Sequence, residues 1–307
     1  MNIIFMGTPD FAVPSLSTIY DHGYTIQAVV TAPDKPRGRG QEISSTPVKK
    51  FALDHSIPVL QPGRLDEESF VGTLQEFSPD CIIVVAFRIL PPQVFTIPRF
   101  GTFNLHASLL PKYRGAAPIQ WAVINGESET GVTTFFLKEK IDTGNIILQA
   151  RITIGENETA GELYNRLMIL GADTVLSTIR LIGRAEVQPR SQNDSEATPA
   201  PKIFREHCEI DWKKPVREVH NFIRGLSPVP GAFTHLGGNF LKIYRSRVCS
   251  ESGSGLPGNG VIGNDSLKVF TGQGVLEILE LQQEGKKRLF TPEFLKGFRV
   301  DREIHLQ

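Results

Sequence analysis

Two polar side chains spaced two residues apart are the first sign of chemistry in this chain. Thr102-Phe103-Asn104-Leu105-His106 has the composition of a strand, and alternate residues of a strand project from one face, so the amide of Asn104 and the imidazole of His106 stand side by side. At the carboxyl edge of an open parallel sheet, where ligands bind, an amide can donate to a developing oxyanion while an imidazole carries a proton. A structural histidine bonded to backbone explains the same pair. Downstream, Ile141-Asp142-Thr143-Gly144 sits between two strand-like runs. Alone it reads as a turn in which Asp and Gly satisfy the backbone. Combined with Asn104 and His106, an Asp here could orient the imidazole and stabilise its protonated form.

Ser108-Leu109-Leu110-Pro111 follows the polar pair at once. Adjacent leucines in a loop that would ordinarily be polar point to a flat apolar pocket lined by Leu109 and Leu110. The first glycine loop, Gly7-Thr8-Pro9-Asp10-Phe11-Ala12, has one glycine where a dinucleotide site needs GxGxxG, which argues against hydride transfer and leaves Gly7 as a tight strand-to-helix turn. Cys81, Cys208 and Cys249 are far apart, with no CxxC and no His at metal-ligand spacing, as expected in a reducing cytosol. The N-terminus carries no signal-peptide pattern. The longest strongly apolar run, Cys81 to Phe87, falls far short of the ~20 residues of a membrane helix, so a cytoplasmic protein is expected.

The elements that must position these residues alternate between β-branched runs and helix-period segments through the first half of the chain. Ile3–Met6, Ile26–Thr31, Cys81–Phe87 and Thr102–His106 read as strands; Phe11–Tyr20, Pro47–His55, Asp66–Phe77 and Pro118–Ile124 read as helices. Gly131–Leu137 and Asn145–Ile154 are two further strands, and Ala160 to Gly183 is a long helix with Leu163, Leu167 and Leu170 along one stripe. The stretch from Gln188 to Lys202 is polar, Pro-containing and aperiodic, as a linker would be. After it come a short helix at Val216–Gly225 and several Gly-punctuated strand runs. The expected fold class is α/β: a Rossmann-like, mostly parallel sheet domain over residues 1–188, a linker over 189–204, and a small β-barrel (OB-like) domain over 205–307.

Asn104-Leu105-His106, Ser108-Leu109-Leu110-Pro111 and Asp142-Thr143-Gly144 together resemble the folate-dependent formyltransferase family. Gly7 to Ala12, the loop Pro33-Asp34-Lys35-Pro36-Arg37-Gly38-Arg39-Gly40, Leu281 to Lys287 and Phe294-Leu295-Lys296-Gly297 resemble the branch of that family acting on initiator methionyl-tRNA, and the likeness runs over essentially the whole chain. It departs at Ala86-Phe87-Arg88-Ile89-Leu90, where Tyr-Gly is common, and at Lys138-Glu139-Lys140, where Asp and Gly are more usual. The resemblance implies 10-formyltetrahydrofolate as the formyl-donor cosubstrate, no metal, Asn104, His106 and Asp142 as catalytic residues, and a folate site formed by Phe87, Arg88, Ile89 and Leu90 with Ser108, Leu109, Leu110 and Pro111. The rival readings are the same chemistry on an amino sugar nucleotide and a non-enzymatic RNA-binding protein.

Lys plus Arg and Asp plus Glu both number 33, which excludes a wholesale polycation but not a local basic patch. Residues 33–50 hold five basic side chains against two acidic ones, an excess of +3 in a glycine-jointed loop. Such a loop can order on phosphates and exposed bases, or be an ordinary solvated surface. The resemblance implies that Lys35, Arg37 and Arg39 approach the acceptor end of the tRNA, with Lys213, Lys214, Lys286 and Lys287 as further contacts. A monomer is expected.

Overall fold

Cys81–Val85 is buried at every residue, an environment that only the interior of a sheet covered on both faces provides. The computed structural model describes residues 1–37, 42–253, 255–297 and 303–307. One sheet is formed by β1 (Asn2–Gly7), β2 (Thr25–Val30), β3 (Val59–Leu60), β4 (Cys81–Val85), β5 (Thr102–His106), β6 (Glu129–Phe136) and β7 (Ile146–Thr153), in the order β7-β6-β5-β4-β1-β2-β3. From β5 to β3 every neighbouring pair is parallel, while β6 runs antiparallel to β5. Helices α1 (Val13–Asp21), α2 (Pro47–Asp54) and α3 (Glu68–Phe77) lie between the parallel strands in sequence.

Packing follows from the alternation along the strands. Ile4 and Met6 of β1, Val30 of β2, and Ile82 and Val84 of β4 meet Phe70 and Leu74 of α3 and Val94. Each such side chain contributes roughly 1.5–3 kcal/mol on burial. Gly7 ends β1 where a Cβ would lie 2.7 Å from that of Ala12 and 3.1 Å from the Val85 carbonyl, so it marks a close approach of elements rather than a phosphate cradle.

The chain divides into two compact units. Met1–Gly115, Gly131–Ile152 and Asn165–Pro199 make one; Ala116–Thr130, Thr153–Tyr164 and Ala200–Gln307 make the other. In the second unit β8 (Ala232–Leu236), β9 (Asn239–Ser250), β10 (Asn259–Ile262), β11 (Leu267–Phe270), β12 (Val275–Gln283) and β13 (Glu303–His305) form an antiparallel sheet ordered β8-β9-β12-β11-β10-β13. Its two edges meet at a Leu236–Leu306 bridge, where His235 and Gln307 exchange backbone hydrogen bonds of 2.8 and 3.0 Å, so the sheet curls into the expected OB-like barrel. Helix α4 (Val216–Leu226) places Val216, Val219, Ile223 and Leu226 in the core with Leu241, Ile243, Leu276 and Ile278. Among the described residues no helix is long and apolar enough to cross a membrane.

His220 of α4 is buried, with Nδ1 2.9 Å from Ser246 Oγ and Nε2 3.2 Å from the Glu156 carbonyl. Burial pushes its pKa below the ordinary 6.5, with Arg224 and Arg217 adding to the effect and the Glu156 carbonyl opposing it. The unfolded chain therefore binds this proton first as pH falls. His220 contributes stability that is complete above pH 6.5 and is lost as pH falls below that value toward the folded-state pKa. Denaturant midpoints at pH 7.5 and 5.5 are expected to differ less in His220→Asn than in the parent; equal differences would overturn this assignment.

Candidate active site

Asn104 and His106 lie on β5, flanked by β4 and β6, with Asn104 opposite both Val84 and Phe135 and His106 opposite Thr133. His106 is 6% exposed, and its Nε2 lies 2.8 Å from the carbonyl of Tyr113. A carbonyl can only accept, so Nε2 carries the hydrogen and Nδ1 is the nitrogen left to exchange a proton. Nδ1 faces Asp142 Oδ2 at 3.8 Å, too long for a direct hydrogen bond but close enough for a carboxylate to stabilise a charged ring. Asn104 is half-buried, and among the described residues nothing engages its amide. The structure thus brings His106 and Asp142 together, with Asn104 two residues before His106 on the same strand.

The loops around the pair are set by backbone geometry. Asp142 and Tyr113 adopt left-handed φ of +54° and +59°, and Ala86 at the end of β4 has +48°, values uncommon outside glycine and frequent at functional sites. Asp142 Oδ2 also accepts from Gly115 N at 2.9 Å, which fixes one carboxylate oxygen. Gly144 has no alternative residue, because a Cβ there would sit 1.5 Å from the Phe136 carbonyl.

Ser108–Pro111 takes a different form from the flat apolar wall read in the sequence. The Ser108 hydroxyl donates to the Lys112 carbonyl at 2.6 Å, and Leu110 is buried against Phe135 and Ile146. Leu109 and Pro111 are half-buried. Thr133 holds this loop: its Oγ1 donates to the Ser108 carbonyl (2.6 Å) and accepts from Leu110 N and Gln149 Nε2 (both 3.1 Å).

Beyond β4, Arg88, Ile89 and Leu90 line a cavity of about 670 Å³ with Arg64, Phe95 and Glu139 among its other walls. Ile89 is 70% exposed, whereas Leu90 and part of Phe87 pack into the core. Arg88, the departure from the family pattern, folds back: its guanidinium stacks over Phe87 and donates to the carbonyls of Gly63 and Pro62, both at 2.9 Å. Burial pushes its pKa down from the ordinary arginine value.

The basic residues are dispersed. Lys35–Arg37 pairs with Glu42–Ser44 as a short hairpin; Arg39 lies outside the described residues. At the root of the hairpin Lys49 Nζ sits 2.5 Å from Asp34 Oδ2 and donates to Gln61 at 2.7 Å, so Lys49 is already engaged. That ammonium, with the Gln61 amide, holds the Asp34 carboxyl below its usual range. Lys213 and Lys214 lie where Ser250 pairs with Val275, whereas Lys286 and Lys287 follow the opposite end, where Leu241 pairs with Gln283. The four lysines are therefore not one patch. Lys286 shares a cavity of about 520 Å³ with His235, Asn239 and Phe240, and Arg205 stacks over Phe240 at 5.1 Å.

Sequence reading missed Tyr113, Arg114, Thr133 and Gln192. Gln192 donates to the carbonyls of Asp142 (2.9 Å) and Gly144 (2.8 Å) and accepts from Arg114, which also pairs with Asp194 at 2.7 Å. The polar composition of 188–202 concealed this anchoring; Arg114, one residue before a glycine in the loop after His106, was the one available signal.

Compared with known proteins, residues 1–179 match the formyl transferase family and residues 202–299 match the formyl transferase C-terminal domain. The chain is similar to the methionyl-tRNA formyltransferase of Bacteroides thetaiotaomicron, at 49% identity over 98% of this chain and 96% of that one. It is also similar to the methionyl-tRNA formyltransferase of Caldanaerobacter subterraneus subsp. tengcongensis, at 45% identity over 98% of both. Among solved structures it is similar to WlaRD, a sugar 3N-formyl transferase crystallised in the presence of dTDP and 5-N-formyl-THF, with a TM-score of 0.69 and 25% identity over 94% of this chain and 99% of that one.

Replacing the fully buried Thr133 by the near-isosteric Val leaves the Ser108 carbonyl and the Leu110 N–H without their partner. Thr133→Val is expected to lower unfolding free energy by about 1–3 kcal/mol. A denaturation curve superimposable on the parent's would remove Thr133 from this role.

Proposed function

This chain belongs to the formyl transferase family, and from that premise we propose that it transfers the formyl group of 10-formyltetrahydrofolate to the α-amino group of methionine esterified to initiator tRNA. It acts in translation initiation, as a cytoplasmic monomer. The observation that carries the residue roles is the approach of the Asp142 carboxylate to the imidazole of His106, whose other nitrogen is held by the Tyr113 carbonyl, on the strand that also bears Asn104.

The folate, when bound, supplies a formyl carbon carried on N10. Asn104 donates to the formyl oxygen as negative charge builds there during addition of the amine. His106 Nδ1 takes the proton that the amine loses and returns one to the departing nitrogen, so the new C–N bond replaces the old one with no net change in protons. Asp142 stabilises the imidazolium in between, while the Tyr113 carbonyl keeps the ring from turning. The cavity beside Arg88–Leu90 suits a flat heterocycle: its volume is typical of small-molecule sites, and apolar Ile89, Pro91, Pro92 and Phe95 are joined by polar Arg88 and Glu139. Half-buried Leu109 and Pro111 complete the proposed folate site from the loop after His106, which the internal bond of Ser108 and the burial of Leu110 hold in shape.

For the tRNA, Lys35, Arg37 and Arg39 address the acceptor end, and the barrel adds Lys213 and Lys214 at one end and Lys286 and Lys287 at the other. The Lys286 end also offers Phe240 and Arg205, the pairing of ring and cation on which RNA bases stack. The amino sugar nucleotide reading draws on the likeness to WlaRD, whose identity to this chain is roughly half that of the tRNA enzymes.

Asn104→Ala, His106→Ala and Asp142→Ala are each expected to lower kcat by about 10²- to 10⁴-fold with the fold intact by circular dichroism. A near-parental rate in any of them would remove that residue from the mechanism. Charged initiator tRNA and an amino sugar nucleotide assayed side by side separate the acceptors; formylation of the sugar alone would overturn the tRNA reading. Affinity for the tRNA should fall with salt along a log–log line, less steeply by about one unit in Lys286→Ala. A slope of zero would refute a phosphate-tracking surface.

A further inference from the structure

We propose that Gln192 is a positioning residue for the reaction, holding Asp142 where its carboxylate meets His106. The inference rests on the proton-handling roles given above to His106 and Asp142.

Asp142 occupies a left-handed backbone conformation at φ +54°. Such a conformation costs an L-residue on the order of 1 kcal/mol or more and persists only where neighbours hold it. Gln192 is one of those neighbours. Its Nε2 has two hydrogens and two acceptors, the carbonyls of Asp142 at 2.9 Å and Gly144 at 2.8 Å, so one amide group spans the turn. Its Oε1 accepts twice from Arg114, at 3.1 Å from Nε and 2.7 Å from Nη2. The side chain of Arg114 is only 13% exposed and also pairs with Asp194.

Arg114 stands between the two residues whose backbones hold the pair. The carbonyl of Tyr113, before it, receives His106 Nε2; the N–H of Gly115, after it, donates to Asp142 Oδ2. Gln192 therefore closes a ring of contacts: from Asp142 through Gln192 to Arg114, and from the backbone flanking Arg114 to His106 and back to Asp142. Cutting the ring at Gln192 leaves the turn free to relax toward a right-handed conformation, and a shift of that kind changes the 3.8 Å approach of Oδ2 to Nδ1.

The segment bearing Gln192 has anchors of its own. Arg190 and Ile146 exchange backbone hydrogen bonds of 2.9 and 2.8 Å, and Thr198 accepts from Tyr113 N through Oγ1 and from Arg114 N through its carbonyl. Removing the Gln192 amide thus separates positioning of Asp142 from attachment of the segment.

Gln192→Met keeps the length and removes every hydrogen bond; Gln192→Glu keeps an acceptor for Arg114 and removes both donors to the turn. Each is expected to lower kcat about 10- to 100-fold, the scale of a misplaced catalytic group, with KM for both substrates within about threefold of the parent. In an Asp142→Ala background the same substitutions should have no further effect, because the group being positioned is gone. A parental kcat, a loss confined to KM, or additivity with Asp142→Ala would overturn the inference. If Gln192→Met does not fold, Gln192→Glu alone decides by the same three criteria. A parental rate in Asp142→Ala itself would instead bring down the underlying mechanistic reading, so the two failures are distinguishable.

Discussion

One carboxylate oxygen organises much of the first unit. Asp142 Oδ2 accepts from the peptide N–H of Gly115 and faces the imidazole of His106, groups that come from a short two-residue strand and from β5, respectively. To reach both, the chain enters a left-handed turn at Asp142 and crosses the Phe136 carbonyl at Gly144, where no side chain fits. The rest follows from keeping that turn in place. Thr133 ties the Ser108–Leu110 loop to β6, Tyr113 takes its own left-handed conformation to present a carbonyl to His106, and Arg190–Thr198 lies across the assembly.

The scaffold was legible in the sequence where it depended on periodicity. β1, β2, β4, β5 and the helices between them follow from β-branched runs and apolar stripes, and the period of two puts Asn104 and His106 on one face. What escaped is what depends on partners distant in sequence. Gln192 is one amide in a polar stretch, and nothing local distinguishes it from a solvated one; its meaning comes from Asp142, Gly144 and Arg114. Leu110, adjacent to Leu109 in a loop, reads as pocket lining, yet the loop turns it toward Phe135 and Ile146. The separation of Lys213 and Lys214 from Lys286 and Lys287 required the register of β9 against β12, which composition does not encode.

Charge shows a similar division between local and distributed information. The basic loop over 33–50 is evident from residue types, but the structure withdraws Lys49 from its surface by pairing it with Asp34 and Gln61. Arg88 is withdrawn in the same way, its guanidinium spent on the carbonyls of Pro62 and Gly63 and on the ring of Phe87. The cavity beside it is thus lined by an arginine already bonded to the backbone, next to apolar Ile89, Leu90, Pro91, Pro92 and Phe95.

The contacts that frame Asp142 also say when the site can exist during folding. Gly115 lies 27 positions before Asp142, Gln192 lies 50 after it, and Tyr113 and Thr198 are 85 apart. Each contact closes a long loop, and loop closure of that kind is paid in chain entropy before any local gain is returned. The parallel strands can pair with the left-handed turn still unset. The proposed site is thus complete only when residues 190–198 are in place, because Gln192 and Thr198 close its longest loops.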